Sequence, residues 1–159
     1  MLQVAEQEMA NFTIKRTVHT GIAVANLERS KAFYRDVLGF PVTDTIHHTG
    51  KMVGDLMGLE GAEVDIAFVT LPGHEIELLQ FSVPSGVNKS NLRPVDPGCK
   101  HIAFEVDDVE AVLDAIKTAG FDTVGPPQMP ASGPRKGGKI VYTRDPDGTF
   151  LEFMQMPKA

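Results

Sequence analysis

Four side chains of the types that bind metal ions lie at matched places in this sequence of 159 residues. His19 and His101 stand near the starts of two similar segments, and Glu77 and Glu152 lie within two others. Two imidazoles with two carboxylates form a ligand set that suits nickel, cobalt, zinc, manganese or iron. The sequence therefore predicts one divalent metal ion, held by a histidine and a glutamate from each half of the chain.

These candidates belong to an internal repeat, which is visible as two pairs of similar segments. VHTGIAVANLE resembles KHIAFEVDDVE, and this match aligns His19 with His101. PGHEIELLQ resembles DGTFLEFMQ, and this match aligns Glu77 with Glu152. Each repeat unit alone is a small structure, and two fused units can share a core.

The repeat predicts how the chain is divided. One domain is expected over 17–156, built from modules at about 17–84 and 98–156. The segment 82–98 is rich in Ser, Pro, Asn and Gly and is expected to link the modules. Residues 1–16 are expected to form an N-terminal arm, to which the sequence assigns no role.

The predicted secondary structure has the same order in both modules. A first strand precedes a helix, expected over 27–38 after the cap residue Asn26 and over 109–119 after Asp107 or Asp108. The strand-like runs that follow the helices are PVTDTI, VDIAFVTL and EIELLQF in the first half, then DTVG, KIVYT and FLEFMQ in the second. The order β-α-β-β-β, repeated, predicts an α+β fold in which two βαβββ modules form a curled mixed sheet around a metal cleft.

Alternation along the strands places the candidate ligands beside small residues. Because successive side chains point to opposite faces of a strand, His19 shares its face with Gly21 and Ala23, and His101 shares its face with Ala103. A buried carboxylate without a partner is costly, and two would repel each other and take up protons. A divalent cation between them resolves both problems.

Four motifs carry a resemblance to a known family: HTGIAVANLERSKAFYRDVLGF, HEIELLQ, CKHIAFEVDDVEAVLDAIKTAGF and RDPDGTFLEF. The chain resembles the vicinal-oxygen-chelate superfamily over 17–156. That superfamily includes glyoxalase I, methylmalonyl-CoA epimerase, extradiol dioxygenases, fosfomycin-resistance enzymes and bleomycin-binding proteins. The resemblance implies that His19, Glu77, His101 and Glu152 are the metal ligands, in agreement with their matched positions.

The resemblance also implies a reaction. It favours a divalent-metal-dependent lyase or isomerase of the glyoxalase I or methylmalonyl-CoA epimerase type, which abstracts a proton α to a carbonyl through a metal-bound enediolate. Glu152 matches the glyoxalase base, and Glu77 is the symmetric candidate, so both are predicted to be catalytic. Two alternatives are a single-domain Fe(II) extradiol dioxygenase and a non-catalytic module that binds a drug or metabolite.

Composition narrows the class of partner. The net charge is −6 and no Lys/Arg run exceeds two residues, which argues against nucleic acid. No apolar run is long enough to cross a membrane.

Cys99 is the one cysteine, so a reducing compartment, the cytoplasm, is expected. A small-molecule substrate is expected, and homodimers are common in the family that the chain resembles.

The first module carries an extra segment, HHTGKMVGDLMGLEGA at 47–62, that has no counterpart in the second. Its glycines and its Met52 and Met57 suit a lid or a wall over a binding pocket. A surface turn with a short helix is the alternative.

Overall fold

The computed structural model describes residues 12–85 and 92–157. Most of the expected arm 1–16 and part of the expected linker 82–98 therefore lie outside the described residues. The elements in chain order are β1 (His19–Ala23), α1 (Leu27–Ala32), β2 (Ile46–His48), α2 (Lys51–Met57), β3 (Glu63–Leu71), β4 (His74–Val83), β5 (His101–Val106), α3 (Val109–Thr118), β6 (Lys139–Arg144) and β7 (Phe150–Gln155).

The strands form two sheets with the same plan. The first sheet has the order β1-β4-β3-β2 and the second has the order β5-β7-β6. In each sheet the first strand of the module runs parallel to the last strand, and the remaining pairs are antiparallel. The predicted α+β class and the two βαβββ-type modules are confirmed, although the strands form two separate sheets.

The first helix begins and ends where its local signals predict. Asn26 has extended backbone, and its side chain accepts a hydrogen bond from the amide of Arg29 at 2.9 Å, as a helix cap does. After Leu27–Ala32 the chain continues as a π-helical turn over Phe33–Val37. Gly39, with φ 75°, supplies the left-handed conformation that terminates the turn.

The helix of the second module, α3, is also capped locally. Asp108 accepts hydrogen bonds from the amides of Glu110 and Ala111, which selects it over Asp107 as the cap residue. Gly120, with φ 82°, follows the last turn. At ten residues α3 is the longest helix of the described segments, and none of their helices is long and apolar enough to cross a membrane.

Two of the predicted strands are much shorter than their sequence patterns suggest. PVTDTI pairs only through an isolated bridge between Val42 and Val69 before β2 begins, and DTVG pairs only through one between Thr123 and Thr143. Prolines border both runs, at Pro41 and at Pro126–Pro127. Because proline has no N–H to donate, Pro126 and Pro127 interrupt the pairing between the bridges Thr123–Thr143 and Gln128–Ile140.

The two modules share one hydrophobic core, to which each sheet contributes the face opposite its candidate ligands. The largest fully buried side chains of this core are Tyr34, Ile76, Leu78, Ile116 and Leu151. The rings of Phe33 and Phe121 meet edge to face across the module boundary, with centroids 4.9 Å apart. The arrangement of the two sheets therefore depends on packing between their helix-bearing faces.

A polar network also joins the modules, at the turn before β7. The buried Asp145 accepts hydrogen bonds from the hydroxyl of Tyr34 at 3.2 Å and from the amide of Thr149 at 2.8 Å. Asp147 accepts one from the guanidinium of Arg29 at 2.6 Å. Burial raises the pKa of Asp145, although backbone amides that donate to the carboxylate oppose the shift. This turn holds helix α1 of one module against the glutamate-bearing strand of the other.

Candidate metal centre

The first candidate pair is built by the parallel strands β1 and β4. Gly21 lies directly opposite Glu77 in the strand register, and His19 lies two residues earlier on the same face. The Nε2 atom of His19 is 3.3 Å from Oε2 of Glu77, with 39% and 17% of the side chains exposed. A side chain at Gly21 would bring its Cβ to 3.6 Å from Glu77 Oε2, so glycine leaves room beside the carboxylate.

The second module repeats this arrangement with β5 and β7. Ala103 lies opposite Glu152, and His101 precedes it by two residues on the same face. Nε2 of His101 is 3.1 Å from Oε2 of Glu152, with 48% and 11% of the side chains exposed. Each module thus presents an imidazole nitrogen and a carboxylate oxygen at the same register positions.

Both pairs fit the coordination sphere of a divalent ion. For bonds of about 2.1 Å, two donors at right angles around an ion lie about 3.0 Å apart. The two nitrogen–oxygen distances, 3.3 Å and 3.1 Å, are close to this separation. Each pair therefore holds a nitrogen and an oxygen at the separation of two adjacent ligands of one ion.

The structure places the four candidate ligands in two His–Glu pairs, and the two pairs are separate from each other. Within 12–85 and 92–157, no group of three or more His, Cys, Asp or Glu side chains could hold one ion. The reason is the shared core: each sheet turns its apolar face toward that core, and each His–Glu pair lies on the opposite face. That all four residues bind a single ion stays a prediction.

The two pairs differ in the aromatic residue that lies across from each glutamate. Phe68 is paired with Glu77, and its ring centroid is 6.2 Å from that of His19. Tyr142 is paired with Glu152, and its hydroxyl is 3.4 Å from Nε2 of His101. Burial raises the pKa of the Tyr142 phenol, and the hydrogen bond to Glu152 and its charge add to the shift.

Sequence reasoning did not single out Tyr142. The signal that could have found it is the register between KIVYT and FLEFMQ, which pairs Tyr142 with Glu152. Alternation places a residue on one of two faces, but only the pairing of strands identifies which residue lies opposite a given glutamate.

The extra segment of the first module covers part of the ligand-bearing face. Helix α2 lies within it, and the buried Val53 packs with Val64 and Ile66 of β3. The partly buried Phe68 and Leu79, which share the face of Glu77, join the same cluster. The segment is thus a short helix, as the second expectation had it, and its apolar side packs on β3. That it forms a lid or a wall over a binding pocket stays a prediction.

Residues 16–153 match the family described as the Glyoxalase/Bleomycin resistance protein/Dioxygenase superfamily. The chain belongs to this superfamily. A probable lactoylglutathione lyase of Vibrio parahaemolyticus is 30% identical over 91% of this chain and 93% of its own length. An ethylmalonyl-CoA/methylmalonyl-CoA epimerase of Cereibacter sphaeroides is 30% identical over 90% of this chain and 99% of its own length.

Solved structures of the superfamily agree with the fold. A glyoxalase family protein from Bacillus cereus superposes with a TM-score of 0.81, covers 94% of this chain and 99% of its own, and is 20% identical. The resemblance predicted from the four motifs is therefore confirmed at the level of family and fold.

Proposed function

We propose that this superfamily member is a divalent-metal-dependent lyase or isomerase that moves a proton on the carbon next to a carbonyl group. The observation that carries the proposal is the pair of His–Glu arrangements at equivalent register positions, His19 with Glu77 and His101 with Glu152. Relatives named as a lyase of lactoylglutathione and an epimerase of methylmalonyl-CoA support this reaction class. The substrate is a small molecule.

The complete site would be formed by two copies of the chain. In this arrangement His19 and Glu77 of one copy face His101 and Glu152 of a second copy, and the twofold axis generates two sites per homodimer. Two features support it. The pairs lie on the faces of their sheets away from the shared core, and β1 and β5 are edge strands whose outer sides have no strand partner among the described residues. Within the described part of one chain the pairs do not meet.

A divalent ion held by these ligands would polarise the substrate carbonyl and acidify the adjacent C–H. The chain's own carboxylates then do the proton transfer. Glu152, only 8% exposed, is held beside His101 and is positioned to take the proton from carbon. Glu77 lies at the equivalent place of the other pair and can hold or return a proton from the opposite side. The small residues Gly21 and Ala103 leave space next to these carboxylates.

Proton exchange at carbon tests the proposal on two substrate classes at once. The metal-loaded protein is incubated in deuterated water with thiol hemithioacetals of 2-oxoaldehydes and with α-branched acyl-CoA thioesters, and deuterium at the α-carbon is followed by NMR. We expect exchange with one of these classes, and Glu152→Gln should lower its rate by about 100-fold or more. Glu110→Gln is the matched control, because that exposed carboxylate on α3 bonds only to Lys139 among the described side chains.

Two outcomes would contradict the proposal. Oxygen consumption with catechols and no α-carbon exchange would indicate an extradiol dioxygenase. If the protein binds the added compounds tightly but catalyses neither reaction, it is a binding module.

A further inference from the structure

The two His–Glu pairs are equivalent in backbone register but unequal in chemistry. The residue across from Glu77 is Phe68, and the residue across from Glu152 is Tyr142. The pairs therefore differ by one hydroxyl group at the same place. A site that combines both pairs has a polar side and an apolar side.

The side chain of Tyr142 lies beside its own His–Glu pair: its hydroxyl contacts His101, and its strand pairs it with Glu152. Its contact with Nε2 of His101 has an oxygen–nitrogen distance of 3.4 Å, which is long for a hydroxyl donor, and its other neighbour is the carboxylate of Glu152. If both groups ligate an ion, the nitrogen no longer accepts and the carboxylate shares its charge with the ion. The hydroxyl can then donate to water or, when a molecule is bound, to an oxygen atom of that molecule.

The opposite side of the site is apolar. Phe68 lies in the cluster that α2 forms with Ile66 and Leu79 on the ligand-bearing face of the first sheet. The second module has no segment equivalent to α2 in the described chain. An apolar substituent of the substrate would be buried favourably against these side chains. A polar substituent would lose its hydration there without gaining a hydrogen-bond partner.

We propose that Tyr142 and Phe68 orient the substrate: the Tyr142 hydroxyl donates a hydrogen bond to a substrate oxygen on the Glu152 side, and an apolar substituent packs against Phe68. The proposal rests on the proposed function. Within the proposed reaction class, it narrows the substrate to molecules with an oxygen atom on the Tyr142 side and an apolar group on the Phe68 side. It also assigns Glu152 to the oxygen-bearing end in the bound orientation.

Hydroxamates test this assignment by binding alone, because they present two neighbouring oxygens as an enediolate does. The dissociation constants of acetohydroxamate and benzohydroxamate are measured by calorimetry on the metal-loaded protein and on the variants Tyr142→Phe and Phe68→Tyr. We expect Tyr142→Phe to weaken both ligands by roughly tenfold, since it removes one hydrogen bond to a charged oxygen. Phe68→Tyr should leave acetohydroxamate within about twofold and reduce the preference for the phenyl compound.

The possible results distinguish a failure of this inference from a failure of the proposed function. Unchanged affinity of Tyr142→Phe for both hydroxamates, in a protein that binds metal and exchanges α-protons, overturns the role of Tyr142 and leaves the proposed function standing. Loss of the metal from Tyr142→Phe also overturns it, because the phenol would then support the ion site. A wild-type protein that neither binds metal nor exchanges protons defeats the function itself.

Discussion

The side-chain oxygen of Gln80 accepts a hydrogen bond from the backbone amide of Leu27 at 2.5 Å, and Gln155 makes the same bond to the amide of Val109 at 3.0 Å. Leu27 and Val109 are the first residues of α1 and α3. The first amides of a helix have no acceptor within the helix, so each glutamine satisfies one of them. Each bond also ties a helix to the strand that carries a candidate glutamate ligand.

Loss of this tie should destabilise the protein. Gln155→Met leaves the amide of Val109 without its acceptor and should lower the free energy of unfolding by about 1–2 kcal/mol in urea titrations. Gln155→Glu keeps an acceptor oxygen and should retain most of the stability. Gln128→Met is the control, because the exposed Gln128 side chain bonds only to the Pro126 carbonyl among the described groups. Equal midpoints for Gln155→Met and the control would show that the tie contributes nothing.

The buried Asp145 should make stability fall as pH rises. Its pKa lies above the ordinary value of 3.8 in the folded state, chiefly because of burial, so folding favours the protonated form. The penalty for the ionised carboxylate is absent below pH 3.8 and fully present above the raised pKa, so this group's contribution to the unfolding free energy decreases across that window. Urea titrations from about pH 4 upward should show this decrease in the wild type and a flatter profile in Asp145→Asn. The same slope in Asp145→Asn as in the exposed control Asp114→Asn would contradict it.

A substitution at Gly54 tests whether α2 forms an apolar wall at the site. A Cβ added there would lie 2.8 Å from the carbonyl oxygen of Leu59, so the backbone of the extra segment must shift. Gly54→Ala should raise KM severalfold for the substrate that shows α-proton exchange, with metal content unchanged, since the described contacts of α2 with Phe68 and Leu79 are apolar. Asp55→Ala is the control, because Asp55 pairs only with the exposed Lys51 among the described side chains. An unchanged KM in Gly54→Ala would remove α2 from the site.

Local signals in the sequence predicted much of the fold. Asn26 and Asp108 cap their helices through their own side chains, and a cap depends on only a few neighbouring residues. Strand alternation likewise predicted that His19 shares its face with Gly21, because the period of a strand does not depend on tertiary contacts. The same reasoning applied to His101 and Ala103 in the second module.

Non-local packing decided what the sequence could not predict. The separation of the two His–Glu pairs follows from contacts such as that between Tyr34 and Asp145, which joins residues from different modules. Nothing in the local sequence around Tyr34 or Asp145 predicts this contact. The place of Tyr142 across from Glu152 likewise depends on strand register, and no pattern within one strand reveals it.

The metal content of mixed variants tests the central claim most directly. If the ion is held by His19 and Glu77 of one copy and by His101 and Glu152 of another, His19→Ala and His101→Ala should each lose the ion. A dimer of one His19→Ala chain and one His101→Ala chain would contain one intact site. Elemental analysis should find one equivalent per chain in the wild type, almost none in either variant, and about a quarter of an equivalent after the two are refolded together with random pairing. A mixture that stays metal-free beside a metal-bound wild type would contradict the shared site, and a wild type that binds no divalent ion would contradict the metal centre itself.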